Sequence, residues 1–220
     1  MKIKIFQAGK GDALLISDTK ANILVDGGMS AAYNEHIAPE LGKMRKKGIT
    51  LDLACVSHID DDHIAGFLKM IEDEVEWRVH EYHQSNGNAK SKKPEVPRPP
   101  DIKEIWHNAF HEVLKENAGE VEDMLAATAN ILSGSDNPLM NEEREVALGE
   151  RNAIRLSRRL RPDQLNIPLN KPFKRKFVMY RKNQKPLKYG GLNITIIAPF
   201  KQDLEDLRKK WDAWLRKNKA

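Results

Sequence analysis

Seven consecutive residues, Ser57-His58-Ile59-Asp60-Asp61-Asp62-His63, hold two imidazoles and three carboxylates directly after the apolar run Leu51-Asp52-Leu53-Ala54-Cys55-Val56. Neutral imidazole and carboxylate are ligands that zinc, manganese and iron accept. Three carboxylates packed this closely repel one another unless a cation or solvent relieves them. The stretch therefore reads as a metal site. The alternative is an acidic, water-facing turn whose Asp side chains cap the helix that follows.

Such a site needs elements that hold it still. Met1 to Phe6 alternates, with Ile3 and Ile5 on one face, as a half-buried strand does. Gly9, Gly11 and Asp12 make a turn, Ala13-Leu14-Leu15-Ile16 reads as a second strand, and Asn22-Ile23-Leu24-Val25 as a third. The third strand ends in Asp26-Gly27-Gly28, where glycine permits a sharp turn and a close backbone approach. Asp26 there could hold loop amides or orient a nearby ligand, or form a plain Asx-type turn. A helix is expected over about 34–47, with Ile37, Leu41 and Met44 on its buried face, then a strand into the histidine-bracketed acids. After His63, Ile64 to Ile71 reads as a helix that starts at the acids. Strand, ligand loop, helix is how α/β folds present chemistry at strand ends.

Further along, residues 84–100 read as a loop rich in Asn, Gly, Ser, Lys and Pro. Ile105-Trp106-His107-Asn108 reads as a short strand and its end. Helices are expected over about 112–132 and 150–160, broken at Gly134-Ser135-Asp136-Asn137-Pro138. Tyr189-Gly190-Gly191 makes a turn into the alternating strand Leu192–Ile197, and Leu204, Leu207, Trp211 and Trp214 mark a closing amphipathic helix over about 202–217.

Composition frames these elements. A chain of 220 residues with 40% hydrophobic and 31% charged residues suits one domain with a real core, not a disordered chain. No apolar run reaches eighteen residues, so no membrane partner is expected. A single cysteine, Cys55, cannot form an internal disulfide, which points to a reducing, cytoplasmic setting. Net charge is +5, unevenly spread: from Lys171 to Lys188 there are eight Lys or Arg residues and no acid. Such a run could meet phosphate backbones, or be a solvated strand edge or loop. Neither a Gly-rich phosphate loop nor a Ser nucleophile elbow is present.

His58-Ile59-Asp60-Asp61-Asp62-His63 resembles the His-x-His-x-Asp-His signature of the metallo-β-lactamase superfamily, with Asp60 in place of the middle His. Gly11 to Ile16, followed by Val25-Asp26-Gly27-Gly28, is similar to that superfamily's first strands and first conserved Asp. The Asp-for-His form resembles the hydrolase domain of the ComEC type, associated with bacterial DNA uptake. The likeness is close over residues 1 to about 75 and looser over 102–200. It implies an α/β fold of the four-layer αβ/βα sandwich type, with the active site at one edge between two sheets. His58 and Asp60 would serve a first metal position, and Asp62 and His63 a second, for one or two divalent ions, zinc or manganese. Asp62 would be the catalytic residue, orienting a water whose pKa a metal lowers towards about 7. Asp26 would hold the loop beneath the ligands. Asp61, pointing the other way, reads as a helix cap.

The family pattern also includes a third His, a bridging Asp after a later strand and a last His. No His occurs after His111, and no Gly-Asp pair follows the Leu192–Ile197 strand. The expectation is therefore a single domain over 1–220. It would be the N-terminal half of the sandwich plus a helical insertion over about 110–170, its second half incomplete, through truncation or because a protein partner completes it. Trp211 and Trp214 would then pack on the absent half or on the existing sheet. His107, at the end of a strand, is a further candidate ligand, or else a buried, hydrogen-bonded His beside Trp106. His111 could share a helix face with it, but the pair lacks the Glu of a zincin. His80 and His83 read as solvated or loop-packing residues, His36 as a helix surface residue, and Cys55 as a small buried hydrophobe.

Two function classes follow. One is a metal-dependent hydrolase acting on a phosphodiester or nucleic acid, although an ester, thioester or lactam fits the same ligands. The other is a binding or regulatory subunit that keeps the fold and needs a partner chain to complete its metal centre.

Overall fold

The computed structural model describes the chain except residues 89, 109–117, 132, 134–137, 175 and 219–220. Side chains at 118–122, 131, 138–143, 211, 214–215 and 217–218 are likewise left aside. Strands β1 (Lys2–Ile5), β2 (Leu14–Ser17), β3 (Asn22–Val25), β4 (Leu53–Cys55) and β5 (Ile105–Trp106) form one sheet in that order. The first two pairings are antiparallel hairpins, and β3-β4-β5 run parallel. Parallel neighbours need helical crossovers, and the chain supplies them. Between β3 and β4 run α1 (Ser30–Ala32), a π-helical turn (Tyr33–Ile37) and α2 (Ala38–Lys46). Between β4 and β5 runs α3 (Asp61–Ser85).

Period-two alternation sorts the strand residues into two cores. Leu15, Leu24, Ala54, Val56 and Ile105 face the helices, where Ile37, Leu41, Ile64, Phe67 and Ile71 meet them. Ile23, Leu53 and Trp106 face the other way, onto Phe173 and the hairpin of β6 (Leu187–Tyr189) and β7 (Leu192–Ile194). Trp106 centres that second core, edge-on to Phe173 at 5.3 Å and to Tyr189 at 5.7 Å. Its indole N–H donates to Glu104 (2.7 Å), which also accepts the Tyr189 hydroxyl (2.8 Å) and the Lys171 amide (2.8 Å). The molecule is a mixed α/β sandwich of helices, sheet and hairpin.

α4 (Ala118–Ile131) packs on α5 (Pro138–Arg159), and α5 lies along α3. α5 begins twelve residues before its expected start, and α3 continues fourteen beyond Ile71. Both extensions are polar, so apolar periodicity underestimates them. Ion pairs one turn apart, Lys69–Asp73 and Glu74–Arg78, support the extension of α3. That extension also fixes the proline-rich segment after it. Arg98 forks onto buried Glu74 and reaches Glu81, and the Trp77 indole donates to the Val96 carbonyl at 3.0 Å. His80 joins the same loop through Ser91, 3.1 Å away.

The basic run 171–188 is the outer layer of the second core: Phe173, Val178 and Leu187 point in, while Lys182, Lys185 and Lys188 are exposed. The last helix, α6 (Lys201–Asn218), buries Leu204. The expected packing of Trp211 and Trp214, and the placement of His111, lie outside the described residues. Among those described, no helix is long and apolar enough to cross a membrane.

Candidate metal centre

The site begins with the turn that ends β3. Asp26 adopts φ +58°, a left-handed conformation that Asp tolerates better than most residues. Its amide donates to the Cys55 carbonyl (2.8 Å), tying the end of β3 to the end of β4. The Gly27 amide donates to the His63 carbonyl (3.0 Å) and the Gly66 amide to the Gly28 carbonyl (2.8 Å). A Cβ on Gly27 would lie 2.1 Å from the Phe67 nitrogen, and one on Gly66 2.0 Å from the Gly27 carbonyl oxygen. Glycine at both positions lets this turn sit directly on the first turn of α3.

One buried carboxylate then orients both histidines. Asp26 Oδ1 accepts the Ser57 amide (2.7 Å), and Oδ2 accepts the Ser57 hydroxyl (2.6 Å) and lies 3.1 Å from His63 Nδ1. Ser57 Oγ is in turn 3.0 Å from His58 Nδ1. Because an ionised carboxylate only accepts and the hydroxyl proton is already directed to it, both Nδ1 atoms must be the donors. This assignment leaves Nε2 of His58 and Nε2 of His63 with lone pairs, the form a metal ligand needs.

The side chains converge accordingly. The imidazole centroids of His58 and His63 are 3.7 Å apart. One donor atom each from His58, Asp62 and His63 lie within 4.8 Å of one another, and Asp62 Oδ2 is 3.7 Å from His63 Nε2. Asp60 stands beside this group, its Oδ2 3.4 Å from His58 Nε2 and its side chain 71% exposed. Two imidazoles and one or two carboxylates suit zinc. The donor set runs from buried His63 to exposed His58 and Asp60, so one side stays open to an approaching molecule.

Asp61 departs from its expected role. No side chain caps the start of α3; Asp60 occupies the cap position and its carbonyl accepts from His63 and Ile64. Asp61 lies one residue into the helix, where its Oδ1 accepts the Asn152 amide of α5 at 2.7 Å. Burial, with Glu145 nearby, raises its carboxyl above the ordinary range.

α5 closes the far side of the loop. A Cβ on Gly149 would sit 2.3 Å from the Ile59 carbonyl oxygen. Beside it Glu150 is buried, and burial together with the charge of Asp60 pushes its carboxyl up to about 7. Sequence reasoning missed Glu150. Its signal was there, in an acid on the apolar stripe of α5 between Ala147 and Ile154.

His107 is outside the converging group. Its Nε2 is 3.1 Å from Ser157 Oγ, while its amide and carbonyl are matched by the Asn170 side chain at 3.1 and 2.8 Å. It lines a mostly apolar cavity of about 300 Å³ with Ser57, Trp106, Ile196 and Pro199. Cys55 borders the same cavity, and burial, with Asp26 adding, pushes its thiol up to about 12. Such a thiol packs rather than reacts.

The family model described as "Metallo-beta-lactamase superfamily" matches residues 7–125, which include the Asp26 turn and the whole ligand loop. No curated protein matches the sequence. Among solved structures, a Cronobacter sakazakii metallo-β-lactamase with a HARLDQ motif is 18% identical over 41% of this chain and 37% of its own, with a TM-score of 0.21. A mutant of that HARLDQ-motif enzyme is 16% identical over 48% of this chain and 45% of its own, at 0.24. AidC, a dizinc quorum-quenching lactonase in complex with a product, is 18% identical over 66% of this chain and 40% of its own, at 0.27. The chain thus spans less than half the length of each of these structures.

Proposed function

The chain belongs to the metallo-β-lactamase superfamily, whose members are generally metal-dependent hydrolases that bind one or two zinc ions, and from that premise we propose that it hydrolyses phosphodiesters, with nucleic acid as the substrate class. The observation that carries the reading is the convergence of His58, Asp62 and His63 within 4.8 Å, with the two imidazoles oriented through Asp26. These three residues would hold zinc, and Asp60 is close enough to join them. Bound there, the ion would lower the pKa of a water towards about 7 and offset negative charge on a phosphodiester.

The chain's own residues have separate tasks. Asp26 fixes the imidazole tautomers and keeps both rings facing one point. Asp62 presents a half-exposed carboxylate beside that point, placed to accept a proton from an attacking water. Exposed His58 and Asp60 leave the approach open. Asp60, standing where the family signature has its middle His, favours the phosphodiester reading over an ester or lactam.

The test pairs metal content with activity. The purified chain is expected to carry zinc by elemental analysis, to lose it in a His58→Ala/Asp62→Ala double variant, and to cleave bis(p-nitrophenyl) phosphate only when loaded. Equal zinc in variant and parent would sink the ligand assignment. Zinc retained without cleavage would favour the binding or regulatory subunit, completed by a partner chain.

A further inference from the structure

The second core is filled at one end of the sheet and open at the other. On the face covered by the hairpin, Ile23 and Leu53 stand opposite each other in register and are both buried. Two residues on, the register pair Val25 and Cys55 is only half-buried, although both belong to the same core. The helix-facing side shows no such gap, since Leu24 and Ala54 are fully buried. Strand alternation continues the open row from Leu53 through Cys55 to Ser57, a run of about 13 Å at about 3.3 Å per residue.

The space so left is the cavity of about 300 Å³ that Trp106 and His107 also line. An apolar cavity of roughly 150 Å³ stays dry and takes a benzene, so this one has room for about two such groups. Its walls are fixed in advance. Asn108 holds Val178 through both amide atoms, donating to its carbonyl (2.7 Å) and accepting from its amide (2.8 Å). The Tyr180 amide donates to the Pro199 carbonyl at 2.8 Å, which ties that wall residue to the same segment. A cavity set before binding costs its occupant little reorganisation.

The polar side chains on the wall decide what fits. Ser57 gives its hydroxyl proton to Asp26, His107 Nε2 meets Ser157 Oγ at 3.1 Å, and Asn108 is committed to Val178. A base edge or a sugar hydroxyl entering here would lose water without gaining partners, whereas an alkyl or aryl group sheds water favourably. Burial keeps the Cys55 thiol neutral, so that part of the wall is a soft, uncharged surface. The mouth lies at exposed Ser57 and Ala198. Ser57 Oγ is 3.0 Å from His58 Nδ1, so whatever protrudes there emerges beside the metal loop.

We propose that this cavity is the binding site for the alkyl or aryl portion of a small molecule whose polar end emerges at Ser57, next to the metal centre. The site goes beyond the hydrolytic reading and does not require it. Its row of inward-facing residues is left half-covered at the end of the sheet where the metal loop begins, and an apolar group completes that core.

The experiment uses the full chain, metal-free in EDTA, titrated with butanol, hexanol and octanol and followed by the Trp106 indole N–H signal in proton–nitrogen NMR. Neutral alcohols avoid repulsion from the acids of the loop. Affinity is expected to rise about fourfold per added methylene, the factor that corresponds to burying it. Ala198→Phe adds bulk at the mouth and Cys55→Met fills the wall from within; each is expected to weaken octanol binding by about tenfold. Val79→Ser removes an exposed apolar group on α3, outside the cavity, and is expected to bind octanol as the parent does. Loss in either cavity variant with Val79→Ser unchanged supports the assignment. A parent that does not bind octanol, an affinity flat across the series, parent-like affinity in both cavity variants, or an equal loss in Val79→Ser would each overturn it. No metal is present and no bond is cut, so failure of the hydrolysis test leaves this measurement standing, and failure here leaves hydrolysis intact.

Discussion

Two buried carboxylates flank the same seven-residue loop, and they are solvated in opposite ways. Asp26, 2% exposed, receives the Ser57 amide, the Ser57 hydroxyl and His63. Glu150, 6% exposed, receives no hydrogen bond among the described residues and faces the charge of Asp60. The first acid organises the loop through bonds that need its charge. The second closes the loop by packing, and its charge is a burden. Equal burial therefore says little about what a buried acid contributes; its donors decide.

The largest effect is expected from removing the organised acid. Asp26→Ala strands the buried His63 Nδ1 and takes the acceptor from two Ser57 donors, and leaving a buried donor unsatisfied costs about 1–3 kcal/mol. It also releases both imidazole tautomers, which typically lowers metal affinity by about 10- to 100-fold. Urea unfolding and zinc titration against a competing chelator measure the two losses. Stability lost with zinc affinity intact would show that Asp26 supports the loop but does not direct the ligands.

Glu150→Gln should act in the opposite direction. The folded carboxyl titrates at about 7 against an ordinary value of 4.5, so between these pH values the folded state binds more proton than the unfolded state. Stability that is present below pH 4.5 is lost as pH rises through about 7. The difference corresponds to about 3 kcal/mol at pH 8. In metal-free protein, Glu150→Gln should melt with the parent at pH 4.5 and several degrees above it at pH 8. A gap that does not grow with pH would mean that Glu150 ionises as a surface acid does and that the two flanks are alike.

The two flanks also differ in how far they were legible in the sequence. Asp26 stands at the end of an apolar run and before two glycines, and the seven-residue loop follows a second such run, so local pattern and family resemblance both reach them. Strands β1 to β5 and the helix that begins at the acids follow from the same periodicities, whereas the order of the strands in the sheet and the strand Leu187–Tyr189 do not. Gly149, Glu150 and Asn152 come about ninety residues later in a helix whose polar first half hides its beginning. Nothing local says that this helix lies along α3. Asp61 illustrates the limit: spacing made it a cap, and a tertiary partner, Asn152, took its carboxylate instead.

Gly149 offers the smallest effect and the one whose sign is most informative. Glycine inside a helix costs about 1 kcal/mol relative to alanine, so on propensity alone Gly149→Ala should stabilise α5. Packing argues otherwise. The added Cβ would lie 2.3 Å from the Ile59 carbonyl oxygen and 3.5 Å from the Asp60 Cα, and the first of these is backbone that no side-chain rotation can clear. Either α5 or the ligand loop must shift, and overpacking of this kind typically costs about 1–3 kcal/mol. The net expectation is a modest loss of stability, by thermal melt, together with weaker zinc binding, because the loop that moves carries His58 and Asp60. A gain in stability with unchanged zinc affinity would mean that α5 does not press on the loop in solution. In that case the burial of Glu150, and its opposition to Asp26, would fail with it.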